Sequence, residues 1–496
     1  MNEPLDAVES FGDLELALED RGWKSLTTHG EQQFTHAGLI AAAQVCRVMA
    51  VANPLIRRSL ALRGAYVFGD GVTPSATSEG QDVSAVVQAW WAENAATVTG
   101  EVATERLERV LGTDGNLLFV NHTNPLTGLV QVRTIPFEEI TEIFRNPDDA
   151  TEVWFYRREY NVTRLTPSED GTTTNTVSDR QVVYYPDINY RPVLRPRSIG
   201  GREVRWDAPL HHVKVNDLEG WEYGIGDAYS AVTWARSYRD FLADWATLVK
   251  SLSQFAWRAT APGSKGAKVR EHLARVSSQA TPANPGQVGA AAVSTPDITL
   301  EAIPKSGATI DSESGRPLAA MVAAALDIPV TVLLADPGVT GARATAETLD
   351  RPLFEAMRQR QGVWRDAYRT MVSYAILQAV KSPQGPLKGT ISRDKWTGRE
   401  TYTLTGGLDP ALRFEFPDLD VIPLDSLMTA IKTADDTGKL PPATIARLLL
   451  VALRVDDIDK VMGDLVDEDG TWLDPAVTAA QAQGAAAVQA FREGRA

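Results

Sequence analysis

The segment 224–381 constrains the fold of this chain more than any other, because long helical patterns alternate in it with short interruptions. Its first pattern, 225–252, places apolar side chains every three or four residues, which predicts an amphipathic helix about 40 Å long. Gly226 and Asp227 open it, and we expect the Asp227 carboxylate to cap or stabilise the positive N-terminal end. A compact core rarely needs a helix of this length, so we expect it to span a long distance.

A small module follows the first helix and separates it from a second one. Strand patterns at 255–259 and 298–303 flank a short basic helix and a Pro/Ala/Gly-rich linker. The second helix is predicted at 314–326. A short loop, 335–344, then leads into a third helix, which Thr345 begins as a hydroxyl cap. The order is therefore helix, module, helix, loop, helix.

The flanking sequence predicts a mixed body of helices and strands. Helical patterns occupy 34–63, 83–94 and 104–111, with a break at Asn53-Pro54, and 65–68 has the pattern of a strand. Further strand patterns lie at 116–121, 128–135, 152–160, 181–185, 211–215, 401–405 and 413–416. An Ala-rich, mostly helical tail occupies 426–436, 442–453 and 476–493. The predicted class is α+β.

Composition limits the function classes. The 496 residues have a formal net charge of −15, which argues against a surface that grips nucleic acid by releasing counter-ions from its phosphates. No apolar run approaches the roughly 18 residues needed to cross a bilayer, and the acidic N-terminus is unlike a signal peptide, so we expect a cytosolic protein without a membrane partner. The only cysteine, Cys46, rules out a disulfide framework and is expected to be buried.

Motifs for catalysis or cofactor binding are weak. The chain contains no GxxxxGK[S/T] loop, and Gly224-Ile225-Gly226 lacks the third glycine of a dinucleotide turn because Tyr229 occupies that position. His211 and His212 are predicted on opposite faces of a strand, where they do not easily share a metal ion. We therefore predict no catalytic residue, no metal and no cofactor, and we expect no nucleotide hydrolysis by the pure protein.

The order of the elements and the local wording resemble the portal proteins of tailed bacteriophages, of the siphovirus-type head–tail portal or connector family. The stretches that carry the resemblance are RGAYVFGDGV (63–72), LGTDGNLLFVNHTNPLTGLVQVRTIPFEEITEI (111–143), EVWFYRREY (152–160), GIGDAYSAVTWARSYRDFLADWA (224–246), ALDIPVTVLLADPG (325–338) and ARATAETLDRPLFEAMRQRQ (342–361). The ordered set, and no single motif, carries the resemblance, which covers nearly the whole chain but is weak past residue 425.

The resemblance implies a portal fold with a mixed α/β wing, a helical stem, a small α/β clip and a helical C-terminal crown. Carried over by position, the divisions are an N-terminal arm (1–33), wing (34–223 and 349–424), stem helices (224–252 and 312–330), clip (253–311), tunnel loop (331–348) and crown (425–496). It also implies a ring, typically of twelve subunits, at one vertex of the capsid, with double-stranded DNA passing transiently through its axis during packaging and ejection.

The resemblance implies partners and a location as well. The partners are the terminase large subunit, a head–tail adaptor, and the major capsid and scaffolding proteins. The location is the portal vertex of the virion, after assembly in the host cytoplasm. Twelve copies at −15 each would carry a charge of about −180, which would prevent DNA from adhering to the channel.

Three groups of site residues follow by position. The tunnel-loop group that would face DNA is Asp336, Pro337, Val339, Thr340 and Arg343. The clip group that would contact the motor or an adaptor is Lys265, Lys268, Arg270 and Arg275. The group that would pack the stem helices is Tyr229, Tyr238, Trp245, Leu318 and Met321.

Several alternatives stay open. Arg343 either offers a phosphate contact or pairs with Asp336 or caps a neighbour. The clip cations either meet an acidic face of the motor or DNA leaving the channel, or form a solvated helix face. The chain could instead be another ring, connector or capsid component of a virion. A hydrolase that uses Asp114 or Glu138 as acid and base is a further alternative, although the sequence contains no nucleophile elbow, HExxH or convincing triad.

Overall fold

A computed structural model of the chain describes residues 23–25, 32–77, 82–149, 151–167, 174–254, 257–260, 299–302, 312–334, 343–394, 398, 400–406, 410–419, 424–453 and 461–462. The chain divides into two compact units, 1–417 and 418–496. The described residues form both helices and strands, so the predicted α+β class is confirmed. The finer division into wing, stem, clip and crown stays a prediction.

The first two helices are α1 (His36–Ala52) and α2 (Pro54–Phe68), bent by 93° relative to each other. The predicted break is confirmed: Asn53 is extended, and its side chain accepts hydrogen bonds from the backbone N–H groups of Leu55 and Ile56. The predicted strand at 65–68 is wrong, because these residues form the last turn of α2. A four-residue apolar run does not separate a strand from a helix end, and here the Gly69 N–H donates to the Ala65 carbonyl oxygen and closes a helical turn.

Two three-stranded antiparallel sheets form much of the first unit. One has the order β11 (Leu210–Lys214), β4 (Asn116–Thr123), β5 (Val130–Ile135). The other has the order β6 (Ile140–Arg145), β7 (Val153–Pro167), β8 (Thr174–Pro186). Their apolar faces contribute to one core cluster that includes Leu118, Leu210, Ile140 and Tyr185. Strand β6 is absent from the sequence prediction.

Helices α3 (Val83–Glu93) and α4 (Glu101–Asp114) confirm the predictions at 83–94 and 104–111, although α4 begins three residues earlier. A short π-helix, Ala95–Thr99, connects them. Asn94 attaches this connection to β5, because its side-chain oxygen accepts from the Val132 N–H at 2.7 Å.

The described residues contain both predicted helices and the two strands between them, whereas the predicted basic helix and the Pro/Ala/Gly-rich linker lie outside the described residues. Helix α5 (Ala228–Gln254) precedes β12 (Trp257–Thr260), which pairs antiparallel with β13 (Thr299–Ala302). A 3-10 turn, Ser312–Gly315, then leads into α6 (Arg316–Ala325).

Two further helices follow α6: α7 (Val330–Leu334) and α8 (Arg343–Lys381). The predicted start of the long helix, at Thr345, is two residues late. Helix α8 begins at Arg343, because Arg343 and Ala344 are good helix formers that extend the helix beyond the hydroxyl signal. Helix α7, within the predicted tunnel loop, is also absent from the sequence prediction.

The remaining strands pair antiparallel. Strand β16 (Ala411–Glu415) pairs with β3 (Thr73–Thr77), which returns the chain after α8 to the end of α2. The other pairs are β14 (Gly389–Arg393) with β15 (Glu400–Leu404), β9 (Ser198–Ile199) with β10 (Arg202–Glu203), and β1 (Trp23–Ser25) with β2 (Gln32–Phe34).

The second unit contains α9 (Leu424–Asp436) and α10 (Pro442–Ala452), on which Ile431 and Ile445 are buried. Among the described residues, no single helix is long and apolar enough to cross a membrane, and only the bent pair α1–α2 meets that test when its two helices are counted together.

Candidate functional site: a helix pair and its buried anchor

Helix α5 begins inside the body and leaves it. Its first turns bury Ala228, Ala231, Val232 and Ala235, whose small side chains and three- to four-residue spacing allow close packing. From residue 236 to residue 250 no side chain is buried. Within the described part of the chain, about half of this 27-residue helix is therefore left uncovered, apart from partial cover along one stripe.

Helix α6 returns antiparallel along the first part of α5. Ser230, near the start of α5, contacts the carbonyl oxygen of Ala325 at the end of α6 with its hydroxyl at 3.4 Å. At the other end, Gly315 lies so close to α5 that an added Cβ would be 2.5 Å from the Phe241 ring and 3.2 Å from Tyr238. The residues after Phe241 extend about 20 Å beyond this contact, at about 1.5 Å per residue.

The uncovered part of α5 is amphipathic. Phe241, Leu242, Trp245 and Leu248 are half-buried at helical spacing, and Val249 beside them is 44% exposed. On α6, Met321 is also exposed. The helix pair thus presents apolar side chains that a second molecule would cover.

A buried cluster of charged and polar side chains holds the start of α5. We name this cluster the anchor; its members are Arg63, Glu108, Asp227, Arg360 and Trp364. One Asp227 oxygen lies 2.5 Å from Arg63 Nη1 and 3.1 Å from Arg360 Nη2. Arg360 Nε donates to Glu108 at 2.8 Å, and Trp364 Nε1 donates to the other Glu108 oxygen at 2.6 Å. The anchor joins α2, α4, α5 and α8.

The anchor keeps its charges because they are paired. Burial would by itself raise the pKa of Asp227, but the positive charges of Arg360 and Arg63, with a hydrogen bond from Asn216, lower it overall. Burial would likewise lower the pKa of Arg360, and Glu108 and Asp227 raise it instead. Asp227 and Arg360 are therefore both ionised at neutral pH.

Arg63 connects the roots of both helices of the pair. Besides Asp227 at the start of α5, its guanidinium donates to the carbonyl oxygen of Leu326 at 3.1 Å, just after the end of α6. It also lies 3.4 Å from the Asp327 carboxylate, on a residue with a positive φ of 55°. One side chain thus fixes where α5 leaves the body and where α6 re-enters it.

Backbone contacts reinforce the anchor. An added Cβ on Gly226 would be 2.1 Å from the carbonyl oxygen of Thr113, and Gly115, with φ of +74°, is equally close to Ile225. Asn116 accepts a hydrogen bond from the Gly224 N–H at 2.8 Å and donates to its carbonyl at 2.9 Å. Gly224 and Gly226 allow this close approach of two backbone segments at the start of α5. This packing, and not a dinucleotide-binding turn, explains the two glycines.

Comparison with known proteins gives weak similarities. No family model and no curated protein matches the chain. It is similar to a chain in a structure described as the virion of a native gene transfer agent (GTA) particle, at 14% identity, a TM-score of 0.44, and coverage of 84% of this chain and 99% of that one. It is also similar to chains in the neck of an empty GTA particle computed with C6 symmetry, at 14% identity and a TM-score of 0.45 over 82% of this chain and 92% of that one. A third similar chain is in the neck of a native GTA particle computed with C12 symmetry, at 14% identity and a TM-score of 0.42 over 82% of this chain and 93% of that one. Similarity at this level is too weak to assign a function.

The predicted stem residues occupy different surroundings. Tyr238 lies against Gly315, and Trp245 is half-buried on the part of α5 that extends past α6. Tyr229 instead packs on the core of the body. Leu318 is half-buried and Met321 exposed on α6. Tyr238 therefore contacts the turn before α6, whereas Tyr229 packs the first turn of α5 against the core.

The predicted clip and tunnel-loop residues lie outside the described residues, with one exception. Lys265, Lys268, Arg270 and Arg275, and likewise Asp336, Pro337, Val339 and Thr340, belong to the undescribed segments. Arg343 is described only in its backbone, as the first residue of α8.

The carboxylates considered for a hydrolase face one guanidinium. Arg47 donates to Asp114 through Nε at 2.8 Å and Nη2 at 2.5 Å, and to Glu138 through Nη1. Ion pairing is therefore the role that the structure gives Asp114 and Glu138. Among the described residues, no group of three or more His, Cys, Asp or Glu side chains could hold a metal ion.

Sequence analysis identified only Asp227 among the members of the anchor. A usable signal exists, because Arg360 lies three residues after Met357 and four before Trp364, on the apolar stripe of α8. Glu108 likewise shares a helix face with Thr104 and Leu111. A charged residue on an apolar face predicts a buried partner, but the sequence does not identify which one.

Proposed function

We propose that this chain is a portal protein, a subunit of a ring at one capsid vertex of a tailed phage or a related particle. The observation that carries the proposal is the outer half of α5. It is amphipathic, it is rooted in a buried charged anchor, and its own chain leaves it largely uncovered.

The reasoning concerns free energy. Apolar side chains such as Trp245, Leu248 and Val249 are stabilised by about 25 cal/mol for each Å² removed from water. In a ring, the apolar face of α5 in each subunit packs against the next subunit. Every subunit therefore covers the α5 face of one neighbour, while its own α5 face is covered by the other neighbour. In such a ring the anchor would fix the direction in which α5 of each subunit leaves the body.

Double-stranded DNA is the proposed passenger of the channel. A ring of twelve such chains would carry a charge of about −180, so DNA would find few sites for counter-ion release on its wall. In this proposal Arg343, near the start of α8, provides an exchangeable phosphate contact. The clip cations Lys265, Lys268, Arg270 and Arg275 would bind the terminase large subunit and later a head–tail adaptor, and the major capsid and scaffolding proteins would surround the ring.

A pair of matched substitutions tests the assembly surface. Val249→Glu places a charge on the outer half of α5, whereas Val102→Glu places the same charge on α4, where the side chain is 82% exposed. We expect Val249→Glu to shift the protein from ring to monomer in size-exclusion chromatography with light scattering, and Val102→Glu to leave the ring intact. Both variants should retain the circular dichroism spectrum of the unsubstituted protein. Rings of equal mass and stability from all three proteins would contradict the assignment of α5 to the subunit interface.

A further inference from the structure

A cavity of about 470 Å³ lies in the body, away from the helix pair. The segment around Arg191, one face of α8 and strand β15 surround it. Its volume is within the range of small-molecule sites, roughly 300–1,000 Å³. The polar and charged lining residues include Asn189, Arg191, Arg369, Ser373, Glu400 and Thr401, and Ile188, Leu377 and Pro410 add apolar surface.

Arg191 is the unusual member of this lining. Arg191 is only 7% exposed, and its Nη2 atom has no hydrogen-bond partner within the described part of the chain. The guanidinium carbon lies 4.8 Å from the centre of the Tyr374 ring, a cation–π contact that holds the side chain in place and leaves Nη2 without an acceptor among the described residues. A buried guanidinium with an unused N–H favours an acceptor that comes from outside the chain.

The surrounding charges favour an anionic acceptor. Glu400 lines the cavity, but its carboxylate already forms ion pairs with three basic side chains: Lys381 at 2.8 Å, Arg195 at 3.0 Å and Arg393 at 3.2 Å. Arg369, at the rim, pairs with Asp366 at 3.4 Å.

The third carboxylate near Arg191, Asp187, already accepts hydrogen bonds from Tyr156 and from the Asn189 backbone. Basic side chains therefore outnumber acidic ones around this cavity, in a chain whose net charge is −15.

We propose that this cavity binds a small organic anion whose carboxylate or phosphate group accepts hydrogen bonds from Arg191. The planar guanidinium matches both groups, because each presents two oxygens to its fork of N–H donors. Arg369 and the Ser373 hydroxyl line the same space and supply further donors, while Ile188 and Leu377 contact the carbon skeleton. None of these residues belongs to α5 or α6, so the proposal does not rest on the proposed ring.

The test is calorimetric titration of the full chain with sodium phosphate and, separately, sodium succinate, each against sodium chloride at equal ionic strength. We expect at least one of the two to bind with one site per chain and to raise the melting temperature. Phosphate binding alone identifies a phosphate ligand, and succinate binding alone identifies a carboxylate ligand. Binding of neither anion overturns the proposal.

Variants locate the site. Arg191→Met should weaken binding about tenfold or more, as expected when hydrogen bonds to a charged group are lost. Arg369→Gln should weaken it several-fold, and it keeps the test valid if Arg191→Met does not fold. Arg109→Gln is the matched control, because Arg109 and Arg369 side chains are both 53% exposed and paired within one helix turn. Equal affinities of Arg369→Gln and Arg109→Gln, with Arg191→Met unchanged or unfolded, would refute the proposed site.

Discussion

At the scale of single residues, Asp227 is the group on which the helix pair most depends. It provides the shared counter-charge for Arg63 and Arg360, and it accepts a hydrogen bond from Asn216 at 2.8 Å. The sequence correctly places Asp227 at the start of a long helix, but it predicts a helix cap and not the ion pairs with Arg63 and Arg360 that the structure shows. Its partners could not be predicted, because Arg360 is 133 positions away and only the tertiary fold brings them together.

Asp227→Asn should destabilise the first unit strongly, because two buried guanidinium groups lose their common counter-ion. We expect the free energy of unfolding to fall by about 3–5 kcal/mol in urea denaturation. Asp240→Asn, on the same helix, breaks an exposed pair with Arg239 and should cost less than about 1 kcal/mol. Similar losses for the two variants would show that the anchor is not a coupled buried network.

Histidines should control the pH dependence of stability above pH 5. Burial lowers the pKa of His211 from 6.5 to about 4, and burial with the nearby positive charge of Lys214 lowers that of His212 to about 3. At these two histidines the unfolded chain therefore binds more protons than the folded one below pH 6.5. Stability is fully present above that pH and is lost as the pH falls toward 4, by at most about 1.4 kcal/mol per pH unit for each histidine.

Two carboxylates modify this dependence differently. Asp187, whose pKa burial raises to about 6, opposes the trend, because its contribution is lost as the pH rises through 6. Asp227 has a lowered pKa, so its contribution is lost only below its ordinary value of 3.8. We expect the urea midpoint to fall between pH 7.5 and pH 5, and to fall less for His211→Gln. A midpoint that rises over this interval would contradict the account.

At the scale of elements, the junction of α4, β4 and α5 decides the direction of the helix pair. The sequence predicts each element within a few residues, because their periodic patterns are long. It does not predict that backbone touches backbone between 113–116 and 224–226, since that contact depends on glycines that also fit ordinary turns. Strand β6 is not predicted because its buried residues, Ile140 and Ile143, are three positions apart and do not alternate, and α7 has only five residues.

Gly226→Ala should disrupt this junction. The new Cβ would lie 2.1 Å from the Thr113 carbonyl oxygen, and backbone cannot move away as a flexible side chain can. We expect a loss of at least about 2 kcal/mol in unfolding free energy, at the upper end of single substitutions. Gly362→Ala is the control, because it lies inside α8 with nothing within 4 Å and should stabilise the protein by about 0.5–1 kcal/mol. Equal effects of the two substitutions would argue against the close junction.

At the scale of the whole molecule, the helix, module, helix, loop, helix order links sequence and structure most directly. The sequence predicts the two helices, a strand after the first and a strand before the second, and the long helix afterwards; the structure contains all of these and shows that the two strands pair. The anchor and the anion cavity lie beyond such prediction, because each is built from segments distant in the chain. The proposed ring links the three scales, because it would use the uncovered half of α5 and would depend on the anchor that directs this helix.

The mass of the purified full chain in solution tests the central claim most directly. We expect size-exclusion chromatography with light scattering to give a closed oligomer, about twelve times the 53.9 kDa of one chain, with negative-stain images showing rings with a central channel. A stable monomer at every protein concentration, with no ring in any image, would contradict the proposal that this chain forms a portal.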